Sequence, residues 1–189
     1  MDLEQLVKAT EHLFNQLDLE IATFQEQSTL HCKFGCGKCC FKPDIEATIL
    51  EFLPFAYHLY QQGRAEERYE KLKNSDSSIC LILNPTQAGS GLCSEYEYRG
   101  MICRLFGYSA RTNKYSKKEL VTCQIIKSEQ SIVFEATQQR ISEGMPVPVM
   151  SDYYMQLHSI DFELTKDYYP INQAIQKAIE VVLHYYAYR

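Results

Sequence analysis

A dense cysteine cluster constrains this chain more than any other feature, because four thiols fall within residues 32–40, as Cys32, Cys36, Cys39 and Cys40. Thiolates at this C-x3-C-x2-C-C spacing suit tetrahedral zinc or the irons of an iron–sulfur cluster. Gly37 supplies a flexible backbone between Cys36 and Cys39. Adjacent side chains diverge on a regular helix or strand, so Cys39 and Cys40 favour two metals, or two irons of one cluster, over a single ion. We therefore expect an irregular, metal-stapled segment here.

Four further cysteines complete a set of eight, at Cys80, Cys93, Cys103 and Cys123. The intervening sequence NPTQAGSG predicts a turn that lets Cys80 and Cys93 face each other. A G-x-G match at Gly89 and Gly91 lacks the third glycine of a nucleotide-binding loop, so it too indicates a turn. Because all the cysteines lie between residues 32 and 123, we predict a shared metal-binding role. Packing is the alternative that we keep for Cys123, which lies alone in LVTCQII.

Two arginines lie beside these cysteines, and we predict that they tune the metal centre. Several thiolates carry more negative charge than a metal removes, and nearby cations relieve the excess. Arg104, next to Cys103, is the first candidate and Arg99 the second. An ordinary surface salt bridge is the alternative for Arg104. One role for His31 is to replace a cysteine as a metal ligand. A position at the surface or at a helix end suits this residue better.

Charge and hydropathy exclude several classes of function. A net charge of −5 argues against broad electrostatic binding of nucleic acid. The first twenty residues are acidic and amphipathic, unlike a secretory signal, and no run of 18 apolar residues predicts a membrane span. We therefore expect a cytoplasmic protein. In that reducing compartment, clustered cysteines indicate metal binding or redox chemistry rather than structural disulfides.

The remaining pattern predicts a mainly α fold, a helical domain around an irregular, metal-stapled, cysteine-rich centre with one small β-hairpin. An apolar stripe predicts one helix over residues 2–28. Pro43 and Asp44 indicate a helix start, with Pro54 as a kink or end. Other predicted elements are a helix ending at Gly63, a charged helix over 64–73, a loop over 74–92, a hairpin over 106–121, a helix ending at Gly144, an extended linker over 145–150, and two helices over 151–164 and 171–189. We assign one domain over 1–189, with an N-terminal helix (1–31), a metal-binding region (32–123) and C-terminal helices (124–189).

The ordered motifs resemble a known family. C-x3-C-G-x-C-C at 32–40, Cys80, C-S-x-Y-x-Y-R at 93–99, C-R-L-F at 103–106 and Cys123 resemble the YkgJ-type CxxxCxxCC cysteine-cluster family. That family is described as a zinc- or iron-chelating domain, and a relative forms the cysteine-rich part of flagellin lysine N-methylase. The resemblance implies metal ligation by all eight cysteines. Two family prolines are replaced by Leu81 and Gly100, which weakens local rigidity rather than the ligand set.

Three functions remain open at this level. The first is a protein that holds one or more iron–sulfur clusters and supports redox or cluster-assisted chemistry. The second is a zinc-binding structural or interaction module without catalysis. The third is a metal carrier or sensor. The sequence shows no glycine-rich methyl-donor site, so we do not transfer methylation. A protein partner or substrate is expected without being identified, and whether the protein is an enzyme stays open.

Overall fold

The fold is that of a computed structural model, which describes residues 1–33, 36–87 and 90–188. The described helices are α1 (Leu3–Ser28), α2 (Leu53–Gln61), α3 (Ala65–Lys73), α4 (Met101–Leu105), α5 (Gln124–Glu129), α6 (Ser131–Ser142), α7 (Met150–Ile160) and α8 (Ile171–Ala187). The described strands are β1 (Glu46–Ala47), β2 (Leu83–Gln87), β3 (Ser90–Cys93), β4 (Ser109–Thr112), β5 (Lys118–Val121) and β6 (Tyr169–Pro170). The predicted mainly α fold is confirmed.

Two compact units make up the chain. Unit 1 comprises Met1–His12, Gly35–Met101 and Leu157–Arg189, and unit 2 comprises Leu13–Phe34 and Ile102–Gln156. Our assignment of a single domain stays a prediction. None of the described helices is both long and apolar enough to cross a lipid bilayer.

Helices α2, α3 and α8 pack together in unit 1. Their contact surfaces consist of fully buried aliphatic residues, such as Leu59 on α2 and Ile175 and Ile179 on α8. Strand β1 pairs antiparallel with β6, and Ala47 lies opposite Tyr169. This pairing fastens the segment that follows the first cysteines to the start of α8.

The helix predicted to start at Pro43 and Asp44 is wrong. Strand β1 and a 3-10 turn at Leu50–Phe52 occupy this segment, and Pro54 lies in the first turn of α2 rather than ending a helix. A proline lacks an N–H, but the first helical turn does not use that donor, so Pro54 fits a helix start. The predicted end of α2 near Gly63 is confirmed, because this glycine has a φ of 67° just after the helix.

Unit 2 has a separate hydrophobic core, formed by Phe24, Leu30, Ala110, Leu120, Ile126, Ile141 and Val147. The predicted hairpin is confirmed, since β4 and β5 pair antiparallel with Ala110 opposite Leu120. The helix predicted to end at Gly144 is also confirmed, as α6 ends at Ser142 and Gly144 has a φ of 108°. These elements hold the C-terminal end of the cysteine-rich region.

Candidate metal centre

The eight cysteines divide unequally between the two units. Unit 1 contains five of them, namely Cys36, Cys39, Cys40, Cys80 and Cys93, and unit 2 contains Cys32, Cys103 and Cys123. Five thiols exceed by one the number that a tetrahedral zinc site or a four-cysteine cluster uses. Unit 1 therefore carries enough sulfur donors for one complete centre.

A short 3-10 turn, Lys38–Phe41, positions the cysteine doublet. Gly37 precedes this turn with a φ of 54°, in the left-handed region that glycine tolerates, and its carbonyl accepts a hydrogen bond of 2.9 Å from the Cys40 N–H. The Cys40 thiol donates a hydrogen bond to the Cys39 sulfur. Our expectation that these side chains diverge is wrong, because the tight turn brings the two sulfurs together.

The hydrogen bond from Cys40 leaves Cys39 unusually acidic. Together with backbone donors and the positive charge of Arg99, it lowers the pKa of Cys39 to about 6, although partial burial opposes the shift. The thiolate is the form of cysteine that binds metals. Cys39 is therefore already a competent ligand at neutral pH.

A β-hairpin positions Cys93, where the sequence predicted a loop. Strands β2 and β3 pair antiparallel with Leu83 opposite Cys93, and the register shifts between Pro85 and Gln87. The prediction of a loop over 74–92 is thus wrong for the second half, which contains the two strands. Part of the predicted NPTQAGSG turn, including Gly89 of the G-x-G match, lies outside the described residues.

Backbone contacts join this hairpin segment to the doublet. The Cys80 N–H donates a 3.3 Å hydrogen bond to the Cys40 carbonyl. A Cβ atom placed on Gly37 would lie 2.5 Å from the carbonyl oxygen of Gly91, a distance that real Cβ atoms do not tolerate. The two cysteine segments therefore meet through their main chains, and glycine at position 37 is needed for that approach.

Asn172 on α8 holds the loop that leads to Cys80. Its side-chain oxygen accepts a 2.8 Å hydrogen bond from the Leu81 N–H, and its amide nitrogen donates to the carbonyls of Ser77 and Ile79, both at 2.8 Å. Sequence reasoning missed this residue, because a single asparagine 91 positions away carries no motif.

Cys80 and Cys93 differ from Cys39 in their acidity. Burial raises the pKa of Cys80 to about 11, and the nearby Cys93 and Cys39 sulfurs add to the shift. Burial also raises the pKa of Cys93, although the charge of Arg99 opposes this effect. The mutual electrostatic effects show that these three sulfurs lie near one another. A metal that took Cys80 or Cys93 as a ligand would have to displace the thiol proton.

The charge of Arg99 acts on Cys39 and Cys93, and its role in tuning a metal stays a prediction. Its guanidinium stacks 3.5 Å from the centre of the Tyr96 ring, and its Nε donates a 3.0 Å hydrogen bond to the Tyr96 carbonyl. These contacts hold a positive charge that favours the thiolate forms of Cys39 and Cys93. A cation in this position relieves the excess negative charge of a multi-thiolate site.

The three cysteines of unit 2 lie on a helix or form local hydrogen bonds. The Cys32 N–H donates a 2.6 Å hydrogen bond to the Tyr108 hydroxyl, and Cys103 lies on α4. Cys123 precedes α5, and its sulfur accepts a 3.4 Å hydrogen bond from the Ile126 N–H. Its side chain also packs against the core of unit 2. Cys123 thus has the packing role that we kept as an alternative, while its sulfur lies at a helix start.

Arg104 forms a salt bridge, as in the alternative that we kept for it, but its side chain is buried rather than at the surface. Its role in tuning a metal centre stays a prediction. Its guanidinium forms an ion pair with Asp18 and lies 4.7 Å from the centre of the Phe14 ring. These contacts secure α4 within unit 2. His31 is exposed, and its Nδ1 lies 3.1 Å from the Thr29 carbonyl oxygen. This position just after α1 agrees with the predicted placement at a helix end.

The donor chemistry of unit 1 fits a metal centre, although the thiols are not yet arranged around a common point. Within residues 1–33, 36–87 and 90–188, no three Cys, His, Asp or Glu side chains are positioned to hold one ion together. The backbone contacts between Cys40 and Cys80 and the charge of Arg99 prepare the site. A metal held by these cysteines would require side-chain rotation that brings the sulfurs around one point.

Comparison with known proteins agrees with this assignment. The CxxCxxCC family, described as "Putative zinc- or iron-chelating domain", matches residues 31–125, half of the chain. The match begins one residue before Cys32 and ends two residues after Cys123, so it includes all eight cysteines. No curated protein and no solved structure shows significant similarity to the chain. The protein is a metal-binding member of the CxxCxxCC family of zinc- or iron-chelating domains.

Proposed function

We propose that the protein uses its eight cysteines to hold iron–sulfur centres that support redox or cluster-assisted chemistry. The observation that carries this proposal is the doublet, in which Cys39 and Cys40 bring two sulfurs together on one turn. Two sulfurs on one turn give a centre two ligands from one short segment, and cysteine thiolates are the ligands that hold iron–sulfur clusters. Cys80, whose N–H binds the Cys40 carbonyl, adds a donor from the second cysteine segment.

The surroundings of the doublet support redox chemistry in two ways. Cys39 is exposed, so a cluster bound there would lie close to the surface, where electron exchange with a partner is possible. Arg99 supplies positive charge near the sulfurs, and such charge tunes the reduction potential of a cluster. Neither feature depends on the cysteines of unit 2.

A zinc-binding structural module is the second candidate. The close approach of Gly37 to Gly91 favours it, because two chain segments that meet through bare backbone gain stability from a metal that staples them. Structural zinc contributes on the order of 10–16 kcal/mol to the folding of small zinc modules. This role requires no chemistry of the protein itself.

Purification without oxygen separates the two candidates. We expect a brown protein with sulfur-to-iron charge-transfer absorption in the visible blue, and iron and acid-labile sulfide in similar amounts by chemical analysis. A colourless protein that contains zinc and no labile sulfide would contradict the iron–sulfur proposal and support the structural module. Zinc added during growth serves as a control for metal replacement.

The ligand assignment has its own test. We expect Cys36→Ala and Cys93→Ala each to lower the metal content and the solubility of the protein, because each removes one sulfur donor from unit 1. Ser94→Ala is a matched control, since Ser94 adjoins Cys93 and donates a 2.9 Å hydrogen bond to the Ile82 carbonyl. Full metal content in both cysteine variants, measured by elemental analysis, would show that the assignment is wrong.

A further inference from the structure

Unit 1 also contains a cleft whose lining residues include none of the cysteines. It has a volume of about 240 Å³ and is lined by side chains of α1, α2 and the 3-10 turn at Tyr96–Tyr98. The polar lining residues that matter here are Glu4, Lys8, Glu11, Tyr57, His58 and Tyr98. Val7 and Pro54 supply apolar surface. A concave site with an apolar base and a few converging polar groups is typical of small-molecule binding.

Two carboxylates give the cleft a negative character. Glu4 and Glu11 are seven residues apart on α1, which places them on the same helix face. Lys8 lies between them, but no ion pair joins its ammonium to either carboxylate within the described part of the chain. The lining thus carries two carboxylates against one ammonium group, which leaves it with a net negative charge.

The position of Glu4 is fixed by a tyrosine outside the cleft. The Tyr186 hydroxyl donates a 3.2 Å hydrogen bond to Glu4 Oε1 and also interacts with the hydroxyl of Tyr57. The Tyr186 ring stacks on Tyr60, with ring centres 4.3 Å apart and planes at 6°. This arrangement orders one wall of the cleft before any ligand arrives, which reduces the entropic cost of binding.

Aromatic rings form the opposite wall. The rings of His58 and Tyr98 stack with centres 4.1 Å apart, and the Tyr98 hydroxyl lies 2.8 Å from His58 Nδ1. The Phe55 ring also contacts Tyr98, with ring centres 6.1 Å apart and planes tilted by 38°. The charge of Glu11 acts on the Tyr98 hydroxyl, so this carboxylate and the aromatic wall are close together.

We propose that this cleft binds a small organic ammonium ion, with Glu4 and Glu11 as the anionic partners and the Tyr57 ring as the aromatic surface. A carboxylate forms charge-assisted hydrogen bonds with an ammonium group, and an aromatic face attracts a cation through its quadrupole. The cleft has both elements around one cavity. This binding function goes beyond the metal centre and does not depend on which metal the cysteines hold.

Titration of the metal-loaded full chain with matched probes tests the proposal. The probes are n-propylammonium, its neutral analogue 1-propanol and the anion propionate, followed through the backbone amide NMR shifts of residues 57, 58 and 98. We expect n-propylammonium to bind at least about tenfold more tightly than 1-propanol, because only the ammonium group forms charge-assisted hydrogen bonds with the two carboxylates. Propionate should cause no saturable shift.

Glu11→Gln removes the charge and keeps the side-chain shape at an exposed position, so the variant is expected to fold. It should weaken n-propylammonium binding about tenfold. Glu26→Gln is the matched control, since Glu26 is an exposed carboxylate on the same helix that does not line the cleft. Equal affinities for n-propylammonium and 1-propanol, the absence of saturable shifts, or equal effects of the two glutamate substitutions would each overturn the proposal.

Discussion

The cysteines of the two units differ in what holds their backbone. In unit 1, the doublet lies on a 3-10 turn without a single buried residue, and the second segment reaches it through main-chain contacts. In unit 2, Cys123 packs against a hydrophobic core that contains Phe24 and Ile126. Apolar burial can stabilise the second arrangement without a metal, whereas the first offers little surface for it. The difference indicates that a metal matters most for the order of the unit 1 segments.

Metal removal should produce the largest contrast between these regions. After chelation, we expect amide hydrogen exchange in residues 38–41 to accelerate by about 100-fold or more, because this turn contains no buried residue. Amides near Phe24 and Ile126 should change by less than about tenfold, since their core remains. Hydrogen exchange with mass spectrometry measures both. An equal acceleration of amide exchange in both regions would contradict the proposed difference between the two units.

A substitution in the core of unit 2 tests the other side of this comparison. Phe24→Ala truncates a side chain that is 1% exposed and should lower the free energy of unfolding by about 3–5 kcal/mol. The metal content of unit 1 should stay unchanged in the folded protein. Phe162→Ala, at a position that is 63% exposed, is the control and should cost less than about 0.5 kcal/mol. Denaturant unfolding with elemental analysis checks this prediction, and loss of metal in the folded Phe24 variant would refute it.

A pair of glycine substitutions tests the backbone contact between the two cysteine segments. Gly37→Ala adds a Cβ that would lie 2.5 Å from the Gly91 carbonyl oxygen, in addition to the strain of a φ of 54°. Gly63→Ala has a similar φ of 67° but meets no atom within 4 Å, so it isolates the strain, which is about 1–2 kcal/mol. We expect both variants to lose stability and only Gly37→Ala to lose metal. Full metal content in Gly37→Ala would show that the contact is dispensable.

The smallest effect concerns thiol acidity in the metal-free protein. Since the pKa of Cys39 is lowered to about 6 and that of Cys80 is raised to about 11, the Cys39 thiolate predominates above pH 6 while Cys80 stays protonated up to about pH 11. At pH 7, iodoacetamide should therefore modify Cys39 well before Cys80, as peptide mass spectrometry can follow. Cys40→Ala removes the donor and should slow the modification of Cys39. An unchanged rate in that variant would exclude the hydrogen bond as the cause.

Local patterns predicted the regular helices well. The apolar stripe predicted α1 over 2–28, and the helix spans Leu3–Ser28. The hairpin at β4 and β5 and the helix ending near Gly144 were also predicted, because each has a local turn or end signal. In such segments, periodicity and the flanking residues specify the same structure.

The errors arose where contacts between distant residues decide the structure. Pro54 fits both a helix end and a helix start, and only the pairing of Glu46–Ala47 with Tyr169–Pro170 excludes a helix before it. Strands β2 and β3 contain Asn84, Pro85 and Gly91, residues that are rare in strands, so the hairpin resembled a loop. The candidate ligands were identifiable from their type and spacing, whereas their grouping into five and three depends on the fold.

The hydrogen bonds of Asn172 have a consequence for the order of events during synthesis. The segment around Cys80 forms three hydrogen bonds with Asn172, through Ser77, Ile79 and Leu81. Asn172 lies 91 positions beyond Leu81. At about 5–20 residues per second, the ribosome needs roughly 5–20 s to reach that residue after Leu81 has been added. The last cysteine, Cys123, is added within this interval. From then until Asn172 is added, all eight cysteines are present while the segment around Cys80 still lacks these hydrogen bonds. The nascent chain therefore contains all eight candidate ligands before the scaffold that positions Cys80 is finished.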